Sequence, residues 1–77
     1  MHLPDSPIVY TRHAKGRMRW RRVSADEVTA TIRTPDRVEW AAFNRTYAWK
    51  TIAGRKLRVI VAVERARIVV ISVMEKS

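Results

Sequence analysis

The chain has 77 residues, no cysteine, and 16 lysines and arginines against 7 acids, giving a net charge of +9 and a pI near 11.4. That length allows one domain of modest stability, because so short a chain buries only about 60% of its unfolded surface. Disulfides and thiolate metal centres are excluded, a reducing cytoplasmic setting fits, and no apolar run approaches the roughly 20 residues of a membrane span.

Residues 1–9 read as a loose lead-in to a folded domain over 10–74. Pro4 and Pro7 break any periodicity there. The order of residues is not the basic-then-apolar order of a signal peptide. His2 has no expected role, and Ile8-Val9-Tyr10 is a short extended segment at most. Thr11 is placed to cap a first helix over residues 12–21, with Ala14 and Met18 as a thin inward stripe. Gly16 inside that helix costs about 1 kcal/mol relative to alanine.

Ser24-Ala25-Asp26-Glu27 has the spacing of a capping box, in which Ser24 and Glu27 satisfy each other's backbone amides. Asp26 and Glu27 also suit the positive start of a helix. Val28, Thr31 and Ile32 face inward, and Pro35 ends the helix near Thr34. From there the period changes to two, with turn signals at Asn44-Arg45, Gly54-Arg55 and Arg65-Ala66. The segments Val38–Phe43, Thr46–Ala53, Lys56–Glu64 and Arg67–Met74 read as an antiparallel meander. The third and fourth are apolar at successive positions, which predicts burial on both faces. Two-residue turns would set Thr51 opposite Arg58, Glu39 opposite Lys50, and Val59 opposite Ser72. The fold class expected is α+β: two N-terminal helices packed on one face of a four-stranded antiparallel meander sheet. The other face then needs a ligand, a partner or a second copy.

Charge is concentrated at Arg12, Lys15, Arg17, Arg19, Arg21 and Arg22. Arginine's planar fork suits phosphate. The run therefore reads as a nucleic-acid surface, or as a surface for an acidic protein. Within it His13, Arg17 and Arg21 fall at i, i+4 and i+8, so a helix lines them along one edge. An imidazole beside permanent cations is suited to binding a phosphate and moving a proton. Trp20, set among arginines, is the best base-stacking candidate, ahead of Trp40 and Trp49.

His13-Ala14-x-x-Arg17-Met18-x-x-Arg21-x-Val23-Ser24-x-x-x-Val28, followed by Pro35, resembles the opening of a bacterial domain-of-unknown-function family, number 4258. Leu57-Arg58-Val59 and Val69-Val70-Ile71-Ser72-Val73 are similar to its tail. The chain departs from that pattern at Ser72, where threonine is common, and at Arg22, where glycine is usual. The resemblance implies a small helix–helix–sheet domain of the RelE/ParE-like set, similar to the BrnT toxins, whose members include RNA-cutting toxins of toxin–antitoxin pairs. On that basis the expected function is a toxin-like, metal-independent endoribonuclease or an inactive relative. The alternative is a non-catalytic RNA- or DNA-binding module, or a protein-interaction domain.

Metal-free RNA cleavage needs a base, an acid and cations on the phosphate. His13, Arg17, Arg21, Lys50 and Ser72 are the candidates for that chemistry, with Tyr47 as a further hydroxyl. Arg12, Lys15, Arg19, Trp20, Arg22 and Arg58 are the candidates for holding nucleic acid. No metal site or cofactor is expected. The expected partners are RNA, an acidic antitoxin, and a second copy across the uncovered sheet face, with no membrane.

Overall fold

A computed structural model describes residues 3–76; His2 lies outside the described residues. In chain order the elements are β1 (Ile8–Tyr10), α1 (Arg12–Arg21), α2 (Ala25–Arg33), β2 (Arg37–Ala41), β3 (Arg45–Ile52), β4 (Arg55–Val63) and β5 (Ile68–Lys76). All strands join one sheet in the order β1-β5-β4-β3-β2. The last four make the expected antiparallel meander. The expectation of a four-stranded, wholly antiparallel sheet is corrected by β1, a fifth strand parallel to β5 with Ile8 opposite Ile68 and Tyr10 opposite Val70. Three residues are too few to display a period, and their partner lies far along the chain, so no local pattern betrays the pairing.

The segment before β1 is tied down too. Leu3 joins the core at 9% exposure. The Pro7 carbonyl accepts from the Ile68 amide at 2.8 Å. Arg33 donates to the Pro4 and Ser6 carbonyls at 3.1 and 2.6 Å.

Both helix starts follow their predicted caps. The Thr11 hydroxyl accepts from the Ala14 amide at 3.0 Å and itself donates to the Ile71 carbonyl at 3.2 Å. The Thr11 amide donates to the Val70 carbonyl at 3.1 Å, so one residue caps α1 and pins it to β5. Ser24 and Glu27 form the reciprocal capping box at 2.9 and 3.1 Å. α1 ends at Arg22 in the left-handed region, φ 55° and ψ 47°. This is the conformation that glycine adopts most readily at a helix end, and it falls where the resembled family carries glycine.

The helices cover one face of the sheet. Ala14, Val28 and Ile32 pack with Leu57, Val59, Val61, Val70 and Val73, all fully buried. Each such aliphatic side chain contributes about 1.5–3 kcal/mol by leaving water. The expected two-faced burial of β4 and β5 is corrected. On β4, Leu57, Val59 and Val61 are buried while Arg58 and Ile60 on the other face are half-buried, with Ala62 the buried exception. On β5, Ile68, Val70 and Val73 are buried while Val69 and Ile71 are half-buried. An apolar run shows what a strand tolerates, not what covers it.

The register differs from simple counting at the β2–β3 and β3–β4 turns, while the β4–β5 turn keeps it, with Val63 opposite Ile68, until a bulge shifts it. The β3–β4 turn is Ala53-Gly54, both at positive φ, so Thr51 faces Lys56 and Arg58 faces Trp49. Three residues, 42–44, link β2 to β3, which sets Glu39 opposite Tyr47 rather than Lys50. A bulge between Ile60 and Val61 moves Val59 opposite Val73 and Ser72 opposite Ile60. Odd-numbered turns and bulges change which side chains share a face.

Candidate nucleic-acid interface

Half of α1 is cationic, and Ala14 is its only fully buried residue. Arg12, His13, Lys15, Arg19, Trp20 and Arg21 are exposed, as is Arg22 just beyond. Arg12 and His13 occupy the first turn, which contains no acid. Cations are unfavourable at that positive end of the helix dipole, so helix stability does not explain them.

Ser72 stands on the part of β5 beyond its pairing with β1. Its Oγ lies 3.4 Å from Nε2 of His13. Thr11 sets this meeting, because the cap that starts α1 is bonded to the Ile71 carbonyl next door. Two candidates 59 residues apart in sequence are thus brought together. An exposed imidazole beside a hydroxyl can exchange a proton with a bound group.

Arg17 and Arg21 remain on the same helix, but their guanidinium groups lie over Trp20, at 5.5 and 4.7 Å from its ring centre. The Trp20 ring is 69% exposed and stands in solvent, while Arg17 is half-buried. The Arg17 Nε is buried without a partner. Lys50 is not part of the group. It sits on β3, two strands from β5, which is about 10 Å on strand spacing alone. Its ammonium donates to the Thr34 carbonyl at 2.7 Å and lies 3.8 Å from Asp36. The expected cross-strand pairing of Lys50 with Glu39 fails because β2 and β3 join through three residues.

Five of the seven acids are paired with cations outside the Arg12–Arg22 run. Asp5 pairs with Arg33, Asp36 with Lys50, Glu64 with Arg67, and both Glu27 and Glu75 with Arg55. Among the described residues no carboxylate forms an ion pair with any cation between Arg12 and Arg22.

The sheet face away from the helices carries a second basic feature. Register places Arg37, Trp49, Arg58 and Met74 in one cross-strand row. Arg37 lies 4.7 Å and Arg58 5.3 Å from the Trp49 ring centre, one from each neighbouring strand. Arg58 also lies 5.2 Å from the Tyr47 ring and donates to the Met74 sulfur. Trp49 is therefore half-buried and flanked by guanidinium groups, which compete with base stacking on it. The Tyr47 ring supports Arg58 on this face, away from His13 and Ser72 on the α1 side. Trp40 is on the other face, opposite Thr46. The importance of Arg37 is not visible from sequence spacing, because it depends on the β2–β3 register.

Among the described residues no group of three or more His, Asp or Glu side chains could hold a metal ion. No described helix is long and apolar enough to cross a membrane.

These features define a small α+β domain with a strongly basic helical edge and a histidine–serine pair where that helix meets the sheet. A family model matches residues 10–75, and the chain belongs to that family, described as a domain of unknown function (DUF4258). Comparison with curated proteins and with solved structures gives no match.

Proposed function

We propose that the protein is an RNA-binding domain of the toxin-like kind whose His13–Ser72 pair serves metal-independent endoribonuclease chemistry. The observation that carries the reading is the distribution of charge. Five of the seven acids form ion pairs with other cations, while among the described residues no carboxylate forms an ion pair with the six cations from Arg12 to Arg22. Unpaired arginines along one helix are suited to successive phosphates. Trp20, 69% exposed although Arg17 and Arg21 lie over its ring, supports stacking beside that backbone.

In this reading the 2′-hydroxyl of RNA attacks the adjacent phosphorus. The new bond joins that oxygen to phosphorus, and the bond to the 5′-oxygen breaks. His13 takes the 2′-hydroxyl proton, Ser72 orients the imidazole, and the departing 5′-oxygen takes a proton from water. Arg17 is the nearest cation along the helix edge to offset charge on the phosphoryl oxygens.

The test is RNA incubated with purified protein in the presence of a chelator. Wild type is expected to cleave, and His13→Ala to lose at least about a hundredfold in rate, the scale of a lost general base. Cleavage that survives unchanged in His13→Ala overturns the catalytic reading. If neither protein cleaves but both bind RNA, and Arg17→Glu abolishes binding, a non-catalytic binding module remains.

A further inference from the structure

A cleft of about 440 Å³ lies at the end of the sheet and contains none of the residues of α1. Arg37, Lys50, Lys56 and Lys76 line it, with Trp49 and one acid, Asp36. We propose that this cleft binds a phosphate monoester group.

Three observations carry the proposal. First, Lys56 and Lys76 are direct cross-strand partners. Like charges in that position repel, and an anion between them relieves the repulsion. Second, the cleft's acid is already engaged. One oxygen of Asp36 accepts from the Thr51 amide at 2.9 Å, and the other lies 3.8 Å from Lys50. Among the described residues no carboxylate forms an ion pair with Arg37, Lys56 or Lys76. Third, Trp49 is flanked by Arg37 and Arg58, so the cleft offers charge without a free ring to stack on. Such a site selects for phosphate and is indifferent to a base. A monoester carries about −1.5 to −2 at neutral pH, more than the single charge of a backbone diester. Converging cations therefore favour a terminal phosphate over an internal one. The group's source is either a nucleic-acid end or a small phosphorylated molecule.

The experiment titrates the full chain with inorganic phosphate and follows backbone amides by NMR. Saturable shifts are expected around residues 50–51, 56 and 76. Lys56→Gln combined with Lys76→Gln is expected to weaken binding about tenfold or more, from the loss of two charge-assisted contacts. Both side chains are exposed, so the variant keeps its core. Arg45→Gln with Arg65→Gln removes the same charge elsewhere and is expected to leave the affinity unchanged. Shifts that track α1, or equal weakening by the two double variants, overturn the proposal. Oligonucleotides with a 5′-phosphate or a 5′-hydroxyl separate the sources. Preference for the phosphorylated end, lost in the lysine double variant, identifies a nucleic-acid end. Equal binding of both, with inorganic phosphate still saturating the cleft, identifies a small phosphorylated molecule. A cleft that saturates in a protein that binds no RNA leaves this site standing and removes only the reading of α1.

Discussion

At the scale of single residues, Arg55 holds the most connections. Its guanidinium donates to the Arg21 and Arg22 carbonyls at 2.9 and 3.2 Å, and to Glu27 and Glu75 at 3.3 and 3.0 Å. It thus closes the end of α1 and joins the start of α2 to β5. The hydrogen bond from Arg55 holds Glu75 below its ordinary value of 4.5, with the nearby charges of Arg55 and Arg21 adding to the effect and desolvation opposing it. A carboxyl whose pKa is depressed in the folded state stabilises the protein above its unfolded value and loses that contribution as pH falls. Wild type should therefore lose thermal stability more steeply than Glu75→Gln as the pH drops below 4.5, in melts followed by circular dichroism. Parallel curves would show that the ion pair contributes nothing. None of this was legible in the sequence, because Arg55 reads only as a turn residue until β4 and β5 are set beside α1.

At the scale of elements, α1 is the weak member and α2 the strong one. α2 has a full capping box, two acids at its start and a buried stripe of Val28, Thr31 and Ile32. α1 has a single side-chain hydrogen bond capping its start, no acid in its first turn and one fully buried side chain. Its Gly16 has open space where a side chain would sit. Gly16→Ala should stabilise the protein by about 1 kcal/mol, raising its melting temperature by roughly 4–8 °C. No rise on calorimetry would mean that α1 is held by tertiary contacts alone. Both helices and their caps were legible, because capping is written within four residues and helix period within eight. The strands were legible in existence but not in partnership. Tyr47, Trp49 and Ile60 share one face, since β3 and β4 keep their parity whichever two-residue turn joins them. Val38 and Trp40 lie on the other face because three residues, not two, link β2 to β3. The bulge at Ile60 and Val61 sets Val73 opposite Val59, on the face the helices cover.

At the scale of the whole molecule, the excess charge is one-sided in its pairing rather than evenly balanced. That predicts strongly salt-dependent binding to RNA. If the six cations from Arg12 to Arg22 each meet a phosphate, log K should fall against log salt with a slope of about −4 for single strands. Fluorescence anisotropy at several salt concentrations measures this directly. A slope near zero would remove the phosphate contacts from the account.

The sequence by itself determined the class of the fold, the ends of both helices, the basic edge of α1 and the His13–Arg17–Arg21 alignment. All of these are set by neighbours a few residues apart. Only the tertiary structure decided that Ser72 meets His13, that Lys50 stands two strands away, that Trp49 lies between guanidinium groups, and that Ile8–Tyr10 forms a strand. Each depends on which distant segments pair and in what register. A single extra residue in a turn or bulge changes that register while leaving the local sequence pattern almost untouched.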